Sequence, residues 1–257
     1  MFFGVDIGNT HTVIGLYGDS GEILLRWRIR TDKGATADEL ASVLFQLCAM
    51  DGIDLHGVKD IIIACVVPPI LSSWEEFSRR RLGKNAVVIH GHQDLGMPIL
   101  CDHPHELGAD RIVNAIAGFH RYHSPLIIVD YGTATTFDCV SSKGEYLGGA
   151  IAPGPRLAAD ALAQGTARLP RIEIMRQPSK VLGTDTVSAM QSGIVYGFAG
   201  LTEGLIARLV AEFPVRPRVI ATGGLASVVA GHCPSIEAVH PDLTLEGLGI
   251  IYKRLSG

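Results

Sequence analysis

The chain has 257 residues, 47% of them hydrophobic, and a formal net charge of −4. That is enough apolar material for one large or two small cores, and the mild acidity provides no overall basic field, so nucleic acid is not an expected partner. The clusters Arg79-Arg80-Arg81 and Arg216-Pro217-Arg218 read as solvated surface. Five widely spaced cysteines, Cys48, Cys65, Cys101, Cys139 and Cys233, contain no CxxC pair and predict reduced thiols in a cytoplasmic setting. Asp6 interrupts the apolar start, so no signal peptide is expected, and no stretch reads as long enough to span a bilayer.

In chain order, residues 2–7, 12–17 and 22–30 read as three strands of a meander, separated by Gly8-Asn9 and by Gly18-Asp19-Ser20-Gly21. Residues 37–50 place apolar side chains at helical spacing, with Thr36 as N-cap and Glu39 as its N3 partner. Strands at 60–67 and 86–90 bracket a helix at 72–82, and Pro68-Pro69 marks the exit from the first of these strands. Residues 109–119 read as a mostly buried helix. The opening pattern then returns as strands 126–130, 135–141 and 146–152, followed by helices at 155–164, 184–192 and 195–213, a strand at 217–222 and a closing helix at 244–255. Strands followed by helices, twice over, predict an α/β chain of two similar domains with a cleft between them. The expected division gives residues 1–117 to the first domain and 118–257 to the second, with a single doubly wound domain as the competing arrangement.

Two apolar strands run into acidic, Gly- and Thr-rich turns, Asp6-Ile7-Gly8-Asn9-Thr10 and Asp130-Tyr131-Gly132-Thr133-Ala134-Thr135. Gly8 and Gly132 allow backbone N–H groups to approach phosphoryl oxygens, Asn and Thr side chains add donors, and a carboxylate can hold a cation. One such turn is also simply good turn chemistry; the repetition points to a phosphate gripped from two sides. Gly223-Gly224 is a third glycine-bearing turn after an apolar strand, with a plain strand-to-helix turn as its other reading. There is no GxxxxGK[ST] and no GxGxxG. Taken alone, Gly108-Ala109-Asp110-Arg111 reads as a helix N-terminus with an acid in its first turn, and Thr186 as a helix cap. His90-Gly91-His92 and His103-Pro104-His105 each bring two imidazoles close in sequence but fall short of the three or four coherently spaced ligands of a zinc site. Trp27 and Trp74 are expected in or near cores.

Together, Asp6-Ile7-Gly8-Asn9-Thr10, Gly108-Ala109-Asp110-Arg111, Asp130-x-Gly132-Thr133-Ala134-Thr135, Gly148-Gly149-Ala150-Ile151-Ala152-Pro153-Gly154, Gly183-Thr184-Asp185-Thr186 and Ala189-Met190-Gln191-Ser192-Gly193 resemble type III pantothenate kinase, in order and in approximate spacing. The resemblance implies two ribonuclease-H-like domains of the actin-like ATPase kind around a nucleotide cleft. It also implies ATP-dependent phosphorylation of pantothenate, the entry to coenzyme A biosynthesis, by a cytoplasmic homodimer without a nucleic-acid or membrane partner.

By the same resemblance Asp110 is the base, and Gly108, Ala109, Asp110 and Arg111 form a substrate loop joined by Thr186. Asp6, Ile7, Gly8, Asn9, Thr10, His11, Thr12 and Val13 enclose ATP phosphates, with Asp6 positioning Mg2+ through water. Asp130 binds a monovalent cation, K+ or NH4+, beside Thr133, and Gly223 and Gly224 lie against adenosine. Phosphoryl transfer needs alignment, charge neutralisation and an acceptor for the alcohol proton, which these groups supply. Two departures stand out: Cys101 occupies a position where many members carry a substrate-contacting tyrosine, and His11-Thr12 replaces Asn or Lys. Bvg accessory factor shares the motifs, so a non-catalytic regulator is the alternative from another class; a small-alcohol or sugar kinase of the same superfamily is a third.

Overall fold

Alternation decides the strands: β1 (Phe2–Ile7), β2 (His11–Tyr17) and β3 (Ile23–Arg30) form an antiparallel meander, and in β3 half-buried and exposed residues alternate along its whole length. The computed structural model describes residues 1–174 and 178–256. By internal contact the chain divides into two units, Met1–Met97 with Asp102–Ala117 and Thr244–Gly257, and Pro98–Cys101 with Gly118–Leu243. The closing helix and Pro98–Cys101 therefore group differently from a single division after residue 117.

In the first unit β1 also pairs in parallel with β4 (Asp60–Cys65), which pairs with the short β5 (Val87–Val88), giving the order β3-β2-β1-β4-β5. Helix α1 (Ala37–Met50) starts at the expected capping box, Thr36 with Glu39. Helix α2 (Pro68–Phe77) begins earlier than its apolar spacing suggests, because Pro68 and Pro69 occupy its first positions, where their fixed φ fits and no N–H is needed. Residues 78–82, expected in the same helix, form a π turn. Leu40 and Leu44 of α1 and Ile70, Trp74 and Phe77 of α2 bury against Phe3, Val5, Ile14 and Leu16.

The closing helix α4 (Leu243–Ser256) meets Phe2 and Tyr17 of this sheet, and the first part of α3 (Ala109–Tyr122), where Val113 faces Gly247, belongs to the same unit. Tyr17 Oη donates to the Leu245 carbonyl at 2.6 Å, Thr244 Oγ1 to Asn114 Oδ1 at 2.8 Å and Tyr252 Oη to Asp60 Oδ2 at 2.8 Å. These tethers span long stretches of sequence, which is why the strand-and-helix pattern alone misplaces the helix.

The second unit repeats the plan. Strands β6 (Leu126–Tyr131), β7 (Ala134–Val140) and β8 (Tyr146–Pro153) form the meander, β9 (Arg218–Thr222) runs parallel to β6, and the two-residue β10 (Ala238–Val239) completes the order β10-β9-β6-β7-β8. Helices α5 (Pro155–Gly165), α6 (Thr186–Val210) and α7 (Ala226–Val229) complete it, and Ile127, Val129, Phe137, Val195, Phe198 and Ile206 meet in its core.

Helix α6 corrects two expectations. Gly193 does not split it into two helices, since an interior glycine costs only about 1 kcal/mol and buried Met190, Ile194, Val195 and Phe198 hold the segment together. With 25 residues and a mean hydropathy of 1.3 in its most apolar window, it is also long and apolar enough to cross a membrane, contrary to the sequence reading. Ile194, Val195, Phe198, Ala199 and Ile206 of this helix lie in the core of the second unit.

Candidate active site

At the end of β1, Gly8 N–H donates to the His11 carbonyl at 3.1 Å and closes the first acidic turn around Asn9 and Thr10. Asp6 is half-buried, Ile7 is buried, and Asn9 and Thr10 are exposed. The turn is fastened by a residue that the sequence reading missed. Thr31, just after β3, donates its hydroxyl to the Gly8 carbonyl at 2.7 Å and its N–H to the Thr10 carbonyl at 3.1 Å. Its Oγ1 also lies 2.9 Å from that of Thr12, which is only 1% exposed. The Thr12 hydroxyl is thus used inside the turn, while His11 and Val13 are half-buried in β2.

The Gly108–Arg111 loop lies in the same unit. Val66 N–H donates to the Ile7 carbonyl at 3.1 Å, and a Cβ placed on Gly108 would stand 3.7 Å from Val66 Cγ1. Val66 therefore links the end of β1 to the loop that starts α3. That Cβ would also stand 2.6 Å from Asp110 Oδ1, so the missing side chain makes room for the carboxylate. Asp110 Oδ1 accepts the Arg111 N–H at 2.8 Å, and Ala109 is buried beneath it. Burial pushes the Asp110 carboxyl above the ordinary carboxylate range, outweighing the lowering effects of the Arg111 amide and guanidinium.

In the second unit, Gly132 N–H donates to the Ala134 carbonyl at 3.0 Å, leaving only the exposed Thr133 between the paired residues. Asp130 is half-buried, and its Oδ1 is 3.6 Å from where a Cβ on Gly132 would lie. Gly223, with φ +94°, is tighter still: a Cβ there would overlap Asp130 Oδ1 and stand 2.6 Å from the Tyr131 amide nitrogen. Gly154, before α5, donates its N–H to the Thr133 carbonyl at 3.1 Å, and a Cβ on it would press on the carbonyls of Gly132 and Thr133. Glycine at 132, 154 and 223 thus lets the backbone pack closely around the Asp130 carboxylate and the Gly132 and Thr133 carbonyls. Thr135, buried in β7, has no partner for its Oγ1 among the described residues.

Asp6, the first acidic turn and Asp110 thus belong to the first unit, and Asp130, Thr133, Gly223 and Gly224 to the second. Thr186 is the first residue of α6, whose N-cap is Asp185 in a capping box with Ser188. It lines a pocket of about 560 Å³ with Leu162, Leu169, Ala189, Met190, Gly193 and Ile194. Cys101 is half-buried at the end of Pro98–Cys101, a segment joined to β8 by Leu100 N–H on the Tyr146 carbonyl and Tyr146 N–H on the Pro98 carbonyl, both 2.8 Å.

The sequence profile of type III pantothenate kinases matches residues 2–208 of the chain. A curated type III pantothenate kinase from Desulfatibacillum aliphaticivorans is 48% identical over 256 residues, covering 100% of this chain and 99% of its own. Among solved structures, a conserved putative Baf family transcriptional activator from Campylobacter jejuni is similar with a TM-score of 0.60 at 16% identity, covering 99% of both chains. A ROK family glucokinase from Streptomyces griseus in complex with glucose and AMPPNP gives 0.55 at 16% identity, covering 96% of this chain and 97% of that one. At such identities the two structures establish the fold alone, the two-domain α/β architecture of actin-like ATPases and sugar kinases.

Proposed function

We propose, from the premise that the chain belongs to the type III pantothenate kinase family, that Asp110 accepts the proton of the substrate hydroxyl while the Asp6 and Asp130 turns hold the nucleotide and its cations. The activity is the family's: ATP-dependent phosphorylation of pantothenate in coenzyme A biosynthesis.

The state of Asp110 carries the assignment. Burial raises the pKa of this half-buried carboxyl, and a carboxylate with a raised pKa is a stronger base than an exposed one. The Arg111 N–H steadies one of its oxygens at 2.8 Å, and Arg111 beside it adds donors for substrate oxygens. Gly108 and Ala109 shape this substrate loop, and Thr186 contributes a hydroxyl.

Gly8, Asn9, Thr10 and His11 supply donors to the ATP phosphates, Ile7 and Val13 anchor the turn in the sheet, and Thr12 holds it through Thr31. When bound, Mg2+ and K+ or NH4+ offset phosphate charge. The residues fit such ions. Asp6 is a single half-buried carboxylate, suited to an ion that keeps most of its water. The Asp130 carboxylate, with the Gly132 and Thr133 carbonyls in the same turn, offers oxygens that suit a hard monovalent cation beside Thr133. Gly223 and Gly224 give the adenosine a surface without side chains. The first phosphate turn and substrate loop are thus assigned to the first domain, and the cation and adenosine contacts to the second.

A homodimer agrees with the apolar surface around the start of α6, where Leu182 is 75% and Val187 42% exposed next to Thr186. A cytoplasmic location agrees with five cysteines of which none forms a disulfide. Purified protein should release ADP only with pantothenate, ATP, Mg2+ and K+ or NH4+ all present. ADP release that ignores pantothenate, or that proceeds at full rate in Asp110→Asn, would sink the assignment.

A further inference from the structure

We propose that His103, His105 and Glu106 form a surface site for a borderline transition-metal ion of the Zn2+ type, separate from the groups assigned to nucleotide and substrate. Two imidazoles in sequence lacked a third ligand; the fold supplies it one residue further on.

The segment Pro104–Glu106 is a single tight turn, closed by Glu106 N–H on the His103 carbonyl at 3.0 Å and Leu107 N–H on the Pro104 carbonyl at 3.3 Å. It brings one ligating atom from each of His103, His105 and Glu106 within 4.8 Å of one another, with His105 Nε2 3.8 Å from Glu106 Oε1. Tetrahedral zinc with bonds of about 2.0–2.2 Å places its ligand atoms about 3.3 Å apart. The three side chains are exposed, so small rotations bring them to that spacing.

The platform beneath them is fixed. Gly91 is buried, and a Cβ there would overlap the Pro104 carbonyl oxygen and stand 3.4 Å from that of Leu107. Only glycine lets the two chain segments approach so closely, and the contact brings His90 and His92, whose rings stack at 5.5 Å, beside the turn. Two imidazoles with one carboxylate select zinc-like ions over Mg2+ or Ca2+, which prefer sets of oxygens.

The test is Zn2+ binding by chelator-stripped full-length protein without ATP, followed by calorimetry and repeated with Co2+ for its absorption spectrum. Wild type should take up one equivalent, and Co2+ should show no thiolate charge-transfer band. His103→Ala/His105→Ala should weaken binding by at least about tenfold, since even the loss of a ligand's supporting partner costs about that much. Glu106→Gln should fall between them. Both variants should keep wild-type circular dichroism and metal-free kinase activity, because the altered side chains are exposed. Absence of saturable Zn2+ binding, unchanged affinity in the double variant, or a strong thiolate band would each overturn the proposal. So would loss of binding in His90→Ala/His92→Ala alone, which would place the ion on the other pair.

Discussion

The burial pattern of β1 recurs residue for residue in β6, and that of β2 in β7. Both meanders even break register at the same place, between Leu16 and Tyr17 and between Cys139 and Val140. Yet the acidic turns on these matched scaffolds differ. Asn9 and Thr10 lie between the paired Gly8 and His11, and a hydroxyl clamp from Thr31 fastens them. Only Thr133 lies between Gly132 and Ala134, and that turn is hemmed in by Gly154 and Gly223. The longer turn presents exposed amide and hydroxyl donors, which suit phosphate; the shorter one faces carboxylate and carbonyl oxygens, which suit a cation. A shared scaffold fixes where the turns lie, and their local supports decide what each can hold.

The contrast is broken most severely by exchanging the cation dependences. Asp130→Ala should lower turnover on the order of 10²-fold and abolish its response to K+ or NH4+, whereas Asp6→Ala should cause a loss of similar size tied to Mg2+. Steady-state rates across titrations of each ion separate the two, and identical responses would erase the proposed division of labour. Gly223 and Cys65 provide a smaller test, because Cys65 pairs with Ile7, the residue after Asp6, and Gly223 follows Thr222, the partner of Asp130. Gly223→Ala meets a positive φ and an overlap with Asp130, and should cost about 3 kcal/mol in denaturant unfolding. Half-buried Cys65→Ala should cost about 1 kcal/mol or less. Thr31→Val, which removes the clamp present only on the first turn, should cost about 1–2 kcal/mol and raise KM for ATP more than for pantothenate.

The third acid gives the smallest effect, one of direction. Because the folded-state pKa of Asp110 is raised, its ionisation opposes folding as pH rises above the unfolded carboxylate pKa. Asp110→Asn should therefore be more stable than wild type at neutral pH, and that advantage should vanish below the ordinary carboxylate range. Urea unfolding at several pH values reads the difference.

Much of the fold was legible because strict alternation leaves strands such as β3 little choice, and because the two acidic turns announce their repetition in residue type. What escaped depends on contacts distant in sequence. Nothing local in residues 244–255 says that Thr244 will bond Asn114 or Tyr252 will bond Asp60. Gly193 looked like a helix end because glycine is a poor helix former, but its buried neighbours override that preference. In the site, the motif glycines and acids could be read from their chemistry. Thr31 could not, since its role depends on the β2–β3 pairing that delivers it to Gly8. Glu106 was passed over beside two histidines because an exposed acid becomes a third ligand only once the turn is folded.

The central claim, that Asp110 is the base of a pantothenate kinase, is tested most directly by kcat/KM for pantothenate as a function of pH in wild type and Asp110→Asn. Protonation of the base stops its function, so the wild-type rate should fall on acidification with a midpoint above the ordinary carboxylate value. In Asp110→Asn the plateau should drop by about 10²–10⁴-fold and this acid limb should disappear. A variant that keeps the wild-type rate, or keeps the same acid limb, would contradict the account.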